Sequence, residues 1–104
     1  MTLIEIRITA PDAEMADRIA RLLVDERLAA CVQQLPITST YVWEGAVERS
    51  SEILLLAKTT AESFDALCAA VTALHPYDVP EILAVPVSAS LGEYRTWVEE
   101  SVTG

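Results

Sequence analysis

Apolar and polar residues alternate from the start of the chain, with Ile4, Ile6 and Ile8 set against Glu5, Arg7 and Thr9, the period of a strand with one buried face. The period then lengthens. After Pro11-Asp12, a helix-start pair, Ala16, Ile19, Ala20 and Leu23 recur at the spacing of a helix packed along one side, which is expected to end near Arg27. From Cys31 to Trp43 the chain is rich in Val, Ile, Thr, Tyr and Trp; Glu44-Gly45 follows, and a second strand-like run continues from Ala46 to Lys58. These two runs predict a long hairpin. Pro36, inside the first arm, has no N–H for a ladder bond and so predicts a bulge or an edge position.

Thr59-Thr60-Ala61-Glu62 fits a capping box in which the Thr59 hydroxyl and the Glu62 carboxylate satisfy free amides at a helix start. Phe64, Leu67, Cys68 and Val71 then supply the buried stripe, and Pro76 forces the helix to end at His75. A last strand is expected from Glu81 to Val87, and Ser90-Leu91-Gly92-Glu93 repeats the capping-box pattern ahead of Tyr94, Trp97 and Val98. The order β-α-β-β-α-β plus a helix is that of an α+β, ferredoxin-like sandwich: two helices cover one face of an antiparallel four-stranded sheet, with an extended second hairpin and a C-terminal helix.

The other face is expected to be covered too, because Ile53 to Ala57 and Ile82 to Val85 are continuous apolar runs that a wet face would not need. Each hairpin arm is about a dozen residues, on the order of 40 Å, which is longer than one small sheet requires. The surplus predicts pairing with another subunit. A closed cyclic homo-oligomer follows, since an exposed strand edge otherwise invites open-ended association.

Composition narrows the function classes. A chain of 104 residues with 52% hydrophobic content supports one domain, residues 1–104, and no second core. With 7 Lys+Arg against 16 Asp+Glu the net charge is -9, which repels phosphate backbones and anionic lipid and makes nucleic acid and membrane poor partners. No basic leader or long apolar run is present, so a soluble, cytoplasmic protein is expected. In that reducing setting Cys31 and Cys68, far apart and without a Cys-x-x-Cys spacing, are expected to be free thiols.

The segment His75-Pro76-Tyr77-Asp78-Val79-Pro80-Glu81-Ile82 concentrates the polar chemistry. It places the single histidine at a helix end beside Tyr77 and the carboxylates Asp78 and Glu81, a set able to hold a divalent ion or orient a small ligand. His75 is read either as a helix-capping imidazole or as a ligand, and Tyr77, Asp78 and Glu81 either as cleft residues or as a rigid, solvated turn. Cys31, where a strand begins, is a second candidate metal ligand with a packing role as the alternative; Cys68 falls on the apolar stripe and reads as core. A closed zinc site takes four protein ligands, so one subunit could not complete a nitrogen and sulfur site alone. Glu52 is an interface residue or an intersubunit ligand, and Trp43 with Tyr41 at the hairpin tip packs on a neighbour or forms a ligand platform. An enzyme is not expected: with 3 glycines the chain has no phosphate-cradling loop, no Gly-x-Ser-x-Gly and no His-Glu-x-x-His.

Taken together, Thr9-Ala10-Pro11-Asp12, Leu28-Ala29-Ala30-Cys31-Val32, Thr38-Ser39 with Tyr41 and Trp43-Glu44-Gly45, Glu52, Lys58-Thr59-Thr60, His75-Pro76-Tyr77 with Pro80-Glu81, Pro86-Val87, and Tyr94 with Trp97 resemble the CutA divalent-cation tolerance proteins almost end to end. The resemblance implies a homotrimer assembled through the long hairpins, similar to the trimeric PII signalling proteins, with a cleft between subunits near His75-Pro76-Tyr77. It also implies a link to copper, as Cu(II), or another divalent cation, with no organic cofactor. Many members have Pro-Gly where this chain has Pro36-Ile37; some carry a cysteine and a second histidine where Ile8 and Leu74 stand here. The expected function is divalent-metal binding by a homotrimer in metal tolerance. The alternatives are a PII-like sensor or adaptor that takes a small molecule or partner protein in the intersubunit cleft, and a purely structural assembly module.

Overall fold

In the computed structural model, which describes residues 2–102, the Ile4-Ile6-Ile8 alternation forms β1 (Leu3–Ala10). It is followed by α1 (Ala13–Asp25), β2 (Cys31–Trp43), β3 (Ala46–Thr60), a short 3-10 turn (Ala61–Ser63), α2 (Phe64–Leu74), β4 (Ile82–Pro86) and α3 (Gly92–Val102). The four strands make one antiparallel sheet in the order β2-β3-β1-β4, the ferredoxin-like arrangement expected from the element order.

Alternation along the strands divides the sheet into two faces. Ile4, Ile6, Ile8 and Ala10 of β1, with Leu55 and Ala57 of β3, point to one face and form the core with Ala16, Ile19 and Leu23 of α1 and Leu67 and Val71 of α2. Phe64 and Cys68 of the expected α2 stripe lie at its half-buried margin. The second face carries Leu35, Leu54, Leu56, Leu83 and Val85 around Glu5, Arg7 and Lys58. There, α3 buries Val98 and Val102 at the Leu3 and Thr60 end, and Leu35 (41%) and Leu83 (52%) remain exposed. In one protomer this face is only partly covered.

Helix α1 starts as its sequence predicts, with Asp12 as N-cap accepting the Met15 amide at 2.8 Å through Oδ1. The second helix starts differently. Thr59 is fully buried and its hydroxyl donates to the Leu28 carbonyl at 2.7 Å, tying β3 to the loop after α1. It is therefore not available to cap, and α2 begins at Phe64 without a side-chain cap. At α3, the Tyr94 and Arg95 amides both donate to the Leu91 carbonyl, and among the described residues the Ser90 hydroxyl makes no capping bond.

The hairpin is long and regular. Its arms pair without interruption from Cys31↔Lys58 to Trp43↔Ala46, so Pro36, opposite Ile53, occupies the free outer edge of the sheet and no bulge forms. Glu44 (φ 51°) and Gly45 (φ 79°) turn the chain with two left-handed residues, as a two-residue type I′ hairpin loop requires. β1 supports β3 only as far as Ala10↔Ile53. Beyond that point residues 37–43 and 46–52 pair only with each other, a projection of roughly 20 Å that gives the molecule its 44 × 26 × 21 Å extents.

Candidate functional site

The site forms where three chain segments meet at the root of that projection. Pro76 holds His75 in an extended conformation (ψ 138°), which ends α2 and turns the ring toward the end of β1. His75 is 7% exposed and both of its ring nitrogens are engaged. Nδ1 accepts the Tyr77 amide at 3.1 Å, so Nε2 carries the proton and donates to the Thr9 carbonyl at 2.7 Å. Ligation of a metal by His75 would require breaking one of these bonds.

The next residue pair builds outward from this anchor. The Tyr77 ring lies 4.7 Å from that of His75, and its hydroxyl donates to Glu52 Oε2 at 3.1 Å, reaching β3 just past the last residue that β1 supports. Glu52 is buried, at 9% exposure, on a stretch of hairpin that is otherwise largely exposed. Burial, then the hydrogen bond to Glu52 and its charge, and finally the more distant Tyr41 and Asp12, push the Tyr77 phenol up to about 12. The raised value means the folded protein holds the phenolic proton more tightly than the unfolded chain, so this contribution to stability is present below about pH 10 and is lost as pH rises through about 12. In a phenolate absorbance titration Tyr77 should ionise near pH 12, and Glu52→Gln should lower that value by the part Glu52 supplies, burial holding the rest. A titration unchanged by that substitution would separate Tyr77 from Glu52.

Glu52 also borders a groove of about 360 Å³ between the end of β1 and the hairpin. Asp12, Thr38 and Ser51 contribute oxygens to its lining, and Pro36, Ile37 and Ile53 its apolar wall. Such a surface suits a hard cation or a small ligand with hydrogen-bond donors. Asp12 entered the sequence reading as a helix start and within the Thr9-Ala10-Pro11-Asp12 match, Thr38 entered only within Thr38-Ser39, and Ser51 carried no signal. The pairing register sets Thr38 opposite Ser51, next to Glu52, and the chain leaving β1 brings Asp12 to the same groove.

The other candidates lie apart from this group. Cys31 stands opposite Lys58, whereas Thr9, which holds the His75 ring, stands opposite Leu54. That is four residues along β3, on the order of 13 Å, so one protomer does not bring Cys31 to His75. Cys31 instead borders Tyr94 of α3, whose phenol is raised by burial and by that thiol. The Cys68 thiol is pushed up by burial and by Asp65. Both cysteines are free. Trp43, 61% exposed, is at the far tip of the hairpin, and Asp78 and Glu81 are exposed with no hydrogen bond or ion pair among the described residues. Among the described residues no three His, Cys, Asp or Glu side chains converge to hold a metal ion, so a single protomer does not furnish a closed site. No described helix is long and apolar enough to cross a membrane.

Comparison with known proteins agrees with this frame. The family model for CutA1 divalent ion tolerance protein matches residues 4–101. The divalent-cation tolerance protein CutA of Thermus thermophilus is 50% identical over 97 residues, covering 92% of this chain and 94% of that protein. Human protein CutA is 43% identical over 94 residues, 89% of this chain and 52% of that protein. Among solved structures, the Thermus thermophilus Cut A1 protein superposes with a TM-score of 0.95 at 47% identity, over 97% of this chain and 99% of that one. CutA1 from Oryza sativa gives 0.96 at 39% identity, over 99% and 95%. With its ferredoxin-like sheet, long unbroken hairpin and end-to-end match, the chain belongs to the CutA1 divalent ion tolerance family.

Proposed function

We propose that this protein binds copper or another divalent cation as a homotrimer, in the service of tolerance to such ions, and that the groove at Glu52 is one half of the cation site. The observation that carries this reading is the Glu52 carboxylate: nine-tenths buried at the root of a projecting hairpin, held through one oxygen by Tyr77, and facing a groove that Asp12 also lines. Burying a carboxylate without a matching cation is unfavourable, and the side chain makes no ion pair among the described residues. The oxygens present fall short of a full coordination set, so a second copy supplies the remainder across the cleft. His75 serves this site by fixing Tyr77, and Tyr77 by fixing Glu52.

The test is calorimetric titration of the metal-free protein with Cu(II) and then Zn(II) under anaerobic conditions. Wild type should show saturable binding, and Glu52→Gln should weaken it by at least about tenfold, the scale of losing a charged ligand oxygen. His75→Gln, which keeps a donor and an acceptor, should retain most of the affinity. Absence of saturable binding by wild type would overturn the reading.

A further inference from the structure

Each carboxylate that lines the groove at the hairpin root has one oxygen already committed. Glu52 Oε2 accepts the Tyr77 hydroxyl at 3.1 Å, and Asp12 Oδ1 accepts the Met15 amide at 2.8 Å. One oxygen of each is left. Glu52 is nine-tenths buried, faces the groove, and has no partner for its second oxygen among the described residues. Both carboxylates also bear on the Tyr77 phenol, Glu52 directly and Asp12 from farther off, so the two negative charges share one neighbourhood. Thr38 and Ser51 add only hydroxyl oxygens to the same lining.

The softer donors of the chain are placed or engaged elsewhere. With one histidine, two cysteines and two methionines, the sequence offers few nitrogen or sulfur ligands. Both ring nitrogens of His75 are taken, by the Thr9 carbonyl and the Tyr77 amide. Cys31 stands at the other end of the sheet, and Cys68 lies about two turns before His75 on α2. Met15 packs against the core, and Met1 lies outside the described residues. Imidazole and thiolate are the ligands that distinguish copper and zinc sites, whereas carboxylate, hydroxyl and water oxygens suit Mg(II), Ca(II) and Mn(II). The groove has the second kind of lining.

We propose that the groove takes a hard, oxygen-preferring divalent cation of the Mg(II) and Mn(II) class, held by one oxygen each of Glu52 and Asp12 with most of its water retained. The proposal rests on the cation reading above and narrows its chemical class. A small hard ion of this kind is commonly bound through one or two carboxylates and keeps several waters. Ca(II) instead gathers about six to eight oxygens, often from bidentate carboxylates, and here neither carboxylate has both oxygens free. A groove of about 360 Å³ has room for that water at about 30 Å³ per molecule. Water, with any oxygen that a second copy brings, fills the remaining positions. Copper and zinc also enter such a site, but without the nitrogen and sulfur bonds that make their binding selective.

The experiment is titration of the metal-free protein with Mn(II), free ion being read from its solution EPR amplitude, followed by competition with Mg(II) and Zn(II). Circular dichroism shows that each variant is folded. Wild type should bind Mn(II) saturably, Mg(II) should displace it, and Zn(II) should bind no more than about tenfold more tightly than Mn(II). Glu52→Gln, which still accepts from Tyr77, should weaken Mn(II) binding by at least about tenfold, and Asp12→Asn, which keeps a capping oxygen, by at least about threefold. Cys31→Ser should leave it unchanged. Bound Mn(II) should still relax water protons strongly, because water holds most of its positions. A larger Zn(II) advantage, or a wild type that binds Cu(II) or Zn(II) through Glu52 but not Mn(II), would overturn this class assignment while leaving the cation reading standing. Mn(II) binding that Glu52→Gln does not weaken would overturn the site. No saturable binding of any of these ions would overturn the cation reading itself.

Discussion

His75→Ala is expected to lower the free energy of unfolding by about 3 kcal/mol, measured by urea denaturation at one fixed protein concentration. The substitution leaves the Thr9 carbonyl without its 2.7 Å donor and the Tyr77 amide without its acceptor, and it opens a void where a 7%-exposed ring had been. Each orphaned buried polar group costs about 1–3 kcal/mol, partly offset where water reaches it. Tyr77 should then lose its position over Glu52, so its phenol should fall from about 12 toward 10 in the same variant. A stability loss below about 1 kcal/mol would show that the loop after α2 does not depend on the imidazole. Fixed concentration matters because self-association adds to apparent stability by mass action.

Ile8→Ala is expected to cost about 4 kcal/mol, and Ile8→Val about 1 kcal/mol. Ile8 is fully buried on the interior strand β1, directly opposite Leu55 on one side and Ile82 on the other. With strands on both sides and helices above, the site has little freedom to collapse around a lost side chain. A cost under about 2 kcal/mol for the alanine variant would mean that the core repacks more freely than its burial suggests. Thr9, whose carbonyl anchors His75, is the next residue, so loosening at Ile8 should also be felt in the Tyr77 phenol.

Much of the fold was legible because it depends on short-range pattern. Ile4, Ile6 and Ile8 announce a half-buried strand by period alone, and Glu44-Gly45 between two β-rich arms identifies the hairpin that the structure contains. The excess arm length was legible in the same way, and the structure shows it as the seven pairs beyond β1, from Ile37↔Glu52 to Trp43↔Ala46. What the pattern misjudged were competitions between local and distant partners. Thr59 has the sequence of a helix cap, yet its hydroxyl is taken by Leu28, 31 residues away. Pro36 admitted a bulge or an edge, and only the strand order decides for the edge.

The candidate site was legible in its components more than in its membership. His75 and Tyr77 stand close in sequence, and Glu52 was singled out, but their union depends on a hydrogen bond spanning 25 residues. Asp78 and Glu81 share the His75 segment and nevertheless point to solvent, since sequence proximity in an extended loop does not bring side chains together. Cys31, a candidate ligand by its chemistry, stands within one protomer at the other end of the sheet from His75, beside Tyr94.

The unbroken pairing of β2 with β3 also limits how such a chain can change length over evolutionary time. Inserting one residue into either arm would turn every side chain beyond it to the opposite face, sending Tyr41 or Glu48 where Val42 or Arg49 now stand. Losing or gaining two residues in each arm at the tip, by contrast, keeps the same type of pair beside the two-residue turn and shortens or lengthens the projection while preserving the facing of everything nearer the sheet. Viable length variants of this hairpin should therefore come in matched increments at the Glu44-Gly45 end, and the reach of the projection can be retuned without disturbing Glu52.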